Sequence, residues 1–274
     1  MQMPVTRVLS EMRAVGLAAT ELGPVGYLPS DATELRVVLH EHGLSLTGGF
    51  NALTLADPSA GDATLARATD SADLLAMAGA STFVTCAISD PDRWQHHELN
   101  TKQWAHLFAM LARLDEICAE RGLVQAFHPH VDSLVETAAD IERVLDGCDV
   151  AWCLDTGHMY IGGCDPLSFA YRHTDRVNLV HLKDLRSSVV SGLNAQELTL
   201  MEAVQAGIFV PLGEGDVPIA DVITTLEGHG YEGWYVLEQD AAIADDTTST
   251  DGPIRDVRAS VAYLRSLDAR MGAA

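Results

Sequence analysis

The chain has 274 residues, 47% of them hydrophobic, and carries a formal charge of −22 from 39 acidic and 17 basic side chains. That hydrophobic fraction supports a sizeable core and excludes a disordered chain. The charge argues against nucleic acid and anionic lipid as partners, both of which are gripped through Lys/Arg clusters. With no apolar run of about 18 residues, no membrane-spanning helix is expected. Residues 1–7 lack the apolar centre of a signal peptide. Five cysteines, an odd number with no CxxC spacing, fit reduced and mostly buried thiols in a cytoplasmic protein.

In chain order, the sequence opens on a helical pattern over 5–15, with Leu9, Met12 and Val15 on one face. Short β-type runs then alternate with helical segments. The runs are 18–22, 44–50, 82–88, 124–127, 150–154, 177–182 and 234–237. A helix starts at Asp31-Ala32-Thr33-Glu34, a capping-box pattern, and others cover about 64–78, 98–121, 134–145, 219–229 and 254–267. Gly43, Gly79, Gly122, Gly147 and Gly230 follow the last apolar positions of helices, where glycine suits a left-handed cap. Two long interruptions, 186–216 and 241–252, both follow strand ends.

This alternation with no linker predicts one domain over 1–274, a parallel (β/α)8 barrel of the TIM type. The strand count is seven rather than eight, because no strand precedes the first helix. The first stave is therefore absent or unread. An open barrel edge is a pairing liability, so a homodimer or some other intermolecular cover is expected.

Polar residues gather where apolar runs end, the place at which such barrels build active sites. Asp155 and His158 flank Gly157, which would let the backbone turn tightly. A helix cap is the bland alternative for Asp155, but the next helix reads as starting at Asp165-Pro166, a good cap and first-turn pair. Alternation puts Leu179, His181 and Lys183 on one face, and a polar inner face near a barrel's top marks a site. Glu238 closes a strongly apolar strand, where an acid needs a cation or a hydrogen-bond partner. His128 and His130 flank Pro129, and the two could share a metal or divide into ligand and acid/base. Glu21 ends another run and is a candidate contact to substrate or to a ligand. His96 and His97 read as surface residues, and His40 and His42 as helix-end residues suited to the dipole. Gly213 and Gly215 lack a phosphate-loop context.

Together these segments resemble the sugar phosphate isomerase/epimerase superfamily of xylose isomerase-like TIM barrels, and within it the inosose dehydratases. The matching text is TELGPVGYLP at 20–29, AFHPHVDSLVET at 126–137, CLDTGHMYIGGCDP at 153–166, VHLKD at 180–184, PLGEGDV at 211–217 and GYEGWYVLEQD at 230–240. The resemblance implies one divalent cation, Mn²⁺, Co²⁺ or Mg²⁺, at the tops of strands five to eight. His128, Asp155, His181 and Glu238 would be its ligands, with His130 and His158 facing substrate. Many members carry glutamate where His128 stands. Two departures stand out: the Ser-Trp-Gly-type first strand is missing, and Val131-Asp132-Ser133 replaces a small turn after His130.

The expected reaction is a metal-dependent lyase acting on a keto-inositol or keto-sugar. Glu21 or His130 would remove the proton beside the carbonyl, giving an enediolate, and His158 or Lys183 would protonate the departing β-hydroxyl. An isomerase or epimerase would use the same residues with a different reprotonation. A non-catalytic barrel is the third reading, raised by the missing stave.

Overall fold

Helix α1 (Val5–Val15) starts at Pro4, whose carbonyl accepts from the first turn, and ends at Gly16 in the left-handed region, φ 87°. It opens a computed structural model that describes residues 2–242 and 252–271, the side chains of Arg270 and Met271 excepted. The chain continues through β1 (Ala19–Thr20), α2 (Ala32–Glu41), β2 (Ser45–Leu46), β3 (Gly48–Leu53), α3 (Gly61–Ala78) and β4 (Thr82–Ala87). Next come α4 (Thr101–Ala119), β5 (Val124–Phe127), α5 (Ala138–Gly147), β6 (Ala151–Asp155), α6 (Thr156–Ile161), α7 (Pro166–His173) and β7 (Val177–Leu182). The last part holds β8 (Asp184–Leu185), α8 (Ser187–Asn194), α9 (Leu200–Gln205), β9 (Phe209–Val210), α10 (Ile219–Gly228), β10 (Trp234–Leu237) and α11 (Ile254–Met271).

Six strands pair in parallel in the order β10-β7-β6-β5-β4-β3. Strands β2 and β3 form one stave interrupted at Thr47, whose N–H donates to Thr20 while its carbonyl accepts from Ser81 and Thr82. Through β2 the sheet gains β1, also parallel. The described residues thus build a curled wall of seven parallel staves with helices outside it, the α/β barrel expected, with the stave count expected.

Among the described residues the wall has a seam, since β1 pairs only with β2 and β10 only with β7. Outside it α1 packs on α11, through Val15, Ile254 and Val261 and a hydrogen bond from Arg265 to the Val15 carbonyl. An apolar cavity of ≈ 340 Å³ lies there, lined by Met12, Leu17, Tyr27, Leu237 and Ile254 among others.

Most buried side chains sit between wall and helices, Trp152, Phe83 and Phe169 being the largest. Each such ring removed from water contributes about 1.5–3 kcal/mol. A separate small cluster fills the lumen: Val84, Ala126, Cys153 and Leu179, with Phe50 and Val236 packed on it. One residue comes from each of six staves, so the barrel is plugged rather than open, as its strand geometry demands.

Several local expectations change. Gly43, Gly79, Gly122 and Gly230 take positive φ, but Gly147 does not. It ends α5 against Phe108, whose ring occupies the place where a Cβ would stand, so close packing explains it. Helix α5 begins at Ala138 rather than 134, because Thr137 and Asp140 form a reciprocal capping box there. The interruption at 186–216 contains α8, α9 and β9, which runs antiparallel to β8. Of the acidic, Thr-rich segment at 241–252, residues 243–251 lie outside the described ones. No helix among the described residues is long and apolar enough to cross a membrane.

Candidate active site

Side chains alternate along a strand, so stepping two residues beyond each lumen residue gives the next layer toward the C-terminal rim. On four staves that step lands on a metal-type ligand. Ala126 leads to His128, Cys153 to Asp155, Leu179 to His181 and Val236 to Glu238. Two further residues reach His130, Lys183 and Asp240. Glu21 follows directly on β1.

The four rim residues meet. Asp155 Oδ2 lies 3.4 Å from His128 Nε2 and 3.8 Å from His181 Nδ1. Glu238 Oε1 lies 2.8 Å from His181 Nδ1, and Glu21 Oε2 lies 2.9 Å from His181 Nε2. Neither His181 nitrogen aligns with its carboxylate as a hydrogen bond, and Asp155 Oδ2, His128 Nδ1 and Glu21 Oε1 are buried without hydrogen-bond partners. Buried polar atoms left unpaired are costly and rare. Carboxylate oxygens and imidazole nitrogens converging in this state fit a divalent cation, and ligand atoms of Glu21, His181 and Glu238 lie within 4.8 Å of one another.

Asp155 has two roles, contrary to the sequence expectation. Helix α6 starts immediately after it, and Oδ1 caps that helix by accepting the His158 N–H at 2.7 Å. The helix expected at Asp165-Pro166 is α7, the next one. Oδ2 is left turned into the lumen.

Lys183 is 2% exposed, and its ammonium serves as an internal cation. Nζ lies 2.6 Å from Glu238 Oε2, 2.9 Å from Asp240 Oδ2 and 3.8 Å from Asp155 Oδ2, and it donates to His158 Nε2 at 3.1 Å. Burial works against the charge, but Glu238, Asp155 and Asp240 outweigh it and raise the Lys183 pKa. Glu238 and Asp155 are both held below their usual range against the cost of burial, Glu238 by Lys183 and His181 and Asp155 by Lys183. Thr156 Oγ1 fixes the Lys183 backbone, accepting its N–H at 2.9 Å and donating to its carbonyl at 2.8 Å. Gly157 is helical, so its value is not the tight turn expected. A Cβ there would stand 2.8 Å from Lys183 Cγ.

His130 and His158 stack, with ring centroids 3.8 Å apart. Burial, with His128 and Lys183 beside it, pushes the His130 pKa down to about 3. Burial followed by His130 and Lys183 takes His158 well below its usual value. Both rings are therefore neutral at physiological pH. His130 Nδ1 donates to the Val131 carbonyl at 2.6 Å, which leaves Nε2 able to accept a proton. His181 differs. Burial would strip its proton, but Cys153, Glu238 and Glu21 outweigh that and raise its pKa well above the usual value. Because burial pushes the Cys153 thiol up to about 12, the sulfur is neutral and the two carboxylates carry the effect.

A cavity of ≈ 700 Å³ opens over this group, reaching Glu21, His128, His130, His158, Lys183 and Glu238. Asp155 and His181, both buried, sit behind that lining against His128, Glu21 and Glu238. Thus all eight residues singled out in the sequence come together. Asp240 and Trp94 were not singled out. Asp240 was legible as the position two beyond Glu238. Trp94, edge-on to His130 at 5.1 Å and stacked on Phe50 at 6.1 Å, sits in a polar loop with no pattern to mark it. The loop after His130 keeps a left-handed residue without glycine, since Asp132 takes φ 64°, a conformation aspartate tolerates better than most residues. His96, expected at the surface, is half-buried against Asp140 at 3.0 Å.

Residues 9–267 match the family described as a xylose isomerase-like TIM barrel. Among curated relatives, the inosose dehydratase of Geobacillus kaustophilus (strain HTA426) is 31% identical over 256 residues, spanning 88% of this chain and 82% of the relative. The rhizopine catabolism protein MocC of Rhizobium meliloti is 33% identical over 247 residues, 86% and 74% of the two chains. Among solved structures, the probable 3-DHS dehydratase AsbF from Bacillus anthracis superposes with a TM-score of 0.73 at 15% identity, covering 97% and 94% of the two chains. The D-allulose 3-epimerase from Methylomonas sp. gives a TM-score of 0.69 at 17% identity, with 96% and 90% covered.

Proposed function

Because this chain belongs to the xylose isomerase-like TIM barrel family, we propose that it is a divalent-metal-dependent dehydratase acting on a keto-inositol or keto-sugar. The observation that carries the reading is the meeting of His128, Asp155, His181 and Glu238, with orphaned Asp155 Oδ2, beside a proton-bearing Lys183 and a neutral His130. The curated inosose dehydratases that this chain resembles support the choice of substrate.

His128, Asp155, His181 and Glu238 would hold the cation, Mn²⁺, Co²⁺ or Mg²⁺. When bound, it supplies Lewis-acid polarisation of the substrate carbonyl. The chain's own residues do the rest. His130 Nε2, or the buried Glu21 Oε1, accepts the proton from the carbon beside the carbonyl, and an enediolate forms. The Lys183 ammonium donates a proton to the β-hydroxyl, which departs as water with the C–O electron pair. His158, neutral and hydrogen-bonded to Nζ, orients that ammonium. Trp94 and Phe50 wall the His130 side against solvent.

Epimerisation is the second reading. It is favoured by one observation: Glu21 enters from β1 and His130 from β5, so two proton-handling groups reach the cavity from different staves. The test is incubation of the Mn²⁺-loaded protein with scyllo-inosose. Dehydration gives a product lighter by one water with a new conjugated chromophore. Epimerisation conserves mass, and that result sinks the dehydratase reading; no turnover by a metal-loaded protein removes the keto-inositol as substrate.

A further inference from the structure

The layer beneath the rim contains one residue that packing alone does not require. Cys153 is the only residue of the lumen plug with a ligand atom, and it is fully buried among Val84, Ala126 and Leu179. It sits one layer below Asp155 on the same stave. Its sulfur and one ligand atom each from His128 and His181 all lie within 4.8 Å of one another. Both imidazoles are buried and carry nitrogens without hydrogen-bond partners. A tetrahedral cation bonded to sulfur at about 2.3 Å and to imidazole at about 2.1 Å holds such atoms roughly 3.6 Å apart. The three donors, within 4.8 Å of one another, close on a cation by drawing together by roughly 1 Å.

We propose that Cys153, His128 and His181 form a second, thiophilic metal site that overlaps the rim site from below. The two sites share both imidazoles and differ in their remaining donors. Carboxylate oxygens above suit Mn²⁺ and Mg²⁺, whereas a thiolate in a dry, apolar layer below suits Zn²⁺ and Cd²⁺. Sharing makes them mutually exclusive. A thiophilic cation entering the lower site displaces the Cys153 proton to solvent, forms a metal–sulfur bond and withdraws His128 and His181 from the upper one. Such ions are therefore inhibitors that act by capturing ligands, with no oxidation involved. The exclusion rests on the reading of the rim proposed above, and the existence of the lower site does not.

The test uses the full chain, with Cd²⁺ and Mn²⁺ as probes. X-ray absorption at the cadmium edge should show one sulfur bonded to the metal. The Cd²⁺ protein should show a thiolate-to-cadmium charge-transfer band in the ultraviolet, lost in Cys153→Ser and kept in Cys86→Ser. Electron paramagnetic resonance of Mn²⁺ should show its release by equimolar Cd²⁺ from the wild type. Release from Cys153→Ser should need at least roughly 10–100-fold more Cd²⁺, the loss that follows removal even of a group that only supports a ligand. The absence of sulfur around wild-type Cd²⁺, a measurement independent of how the variants fold, overturns the proposal, as does equal Mn²⁺ release from both proteins. If Mn²⁺ does not bind the wild type at all, the rim reading fails, and the cadmium spectrum still decides whether the lower site exists.

Discussion

Asp155 accepts the backbone N–H of His158 at 2.7 Å through Oδ1, and this bond leaves Oδ2 with no hydrogen-bond partner in the barrel lumen. One carboxylate therefore starts a helix and completes a ligand set. The two duties separate by substitution. Asp155→Asn keeps an oxygen for the cap but can place an amide nitrogen among His128, His181 and Lys183. Wild type should gain about 2.7 kcal/mol of stability at Mn²⁺ 100-fold above its Kd, and Asp155→Asn should gain nothing. Thermal unfolding with and without Mn²⁺ measures both, and a matching gain in the variant contradicts the assignment.

Lys183 and a divalent cation compete for the same carboxylates. Lys183→Met leaves the half-buried Glu238 and the buried Asp155 without their ammonium, which should cost the metal-free protein about 3 kcal/mol. Added Mn²⁺ should recover much of that, so the variant binds metal more tightly than wild type. Turnover should still fall by about 10²–10⁴, the range for loss of a general acid. Calorimetric titration with Mn²⁺ decides the matter, and weaker binding by Lys183→Met would be the contrary outcome.

Gly157→Ala tests the position of the lysine stem rather than its charge. The added methyl meets Lys183 Cγ at 2.8 Å and Cδ at 2.9 Å. Overpacking of this kind costs about 1–3 kcal/mol, partly offset by the roughly 1 kcal/mol that alanine gains over glycine in a helix. We expect a small loss of stability, lower kcat, little change in KM and unchanged Mn²⁺ affinity. A variant with wild-type kcat would show that the stem has room to move.

Asp184 lies next to the site but belongs to its frame. Its carboxylate accepts the N–H groups of Leu185, Gly213, Gly215 and Val217 at 2.8–3.1 Å, tying residues 211–217 to β8. Asparagine offers one oxygen where two are used, and its amide would face N–H groups. Asp184→Asn should lose about 2–3 kcal/mol and accelerate amide exchange over 211–217, with Mn²⁺ binding retained. Urea denaturation and hydrogen exchange report on each part.

The histidines set a pH optimum for the metal-free protein. The pKa values of His130, about 3, and of His158, well below its usual value, are depressed by folding. As pH falls below about 6.5, the unfolded chain takes up protons that the native state refuses, so stability drops by up to about 2.7 kcal/mol per pH unit for the pair. Asp155 and Glu238, lowered in the native state, add to the acid loss below about pH 4. The raised pKa of His181 acts oppositely: its contribution is complete below about 6.5 and disappears as pH rises through the native value. Urea midpoints in chelator should peak near neutrality, and a profile flat from pH 5 to 6.5 would contradict the burial of the two neutral rings.

Sequence periodicity located the site because its chemistry obeys the two-residue strand repeat. Once Leu179, His181 and Lys183 share a face, the rim residues on neighbouring staves align with them. What periodicity could not show depends on contacts between distant segments. The double use of Asp155 needs α6 to start at once, yet Thr156-Gly157-His158 has no strong helical signal. Gly157 reads as a turn residue until Lys183 is seen pressed against it. Trp94 acquires meaning only when its loop is laid across His130. Helices α8 and α9 are short, and the glycines around them read as loop.

The seam between β10 and β1 gives the barrel a direction in which it can spread. Glu238 and Asp240 follow the stave bordering that seam, which is hydrogen-bonded on one side only among the described residues. His128, Asp155 and His181 stand on staves secured on both sides. A charge that draws Glu238 toward them fastens the loose end of the hoop to its fixed arc. Whichever cation sits there, lysine or metal, is therefore also the clasp of the wall.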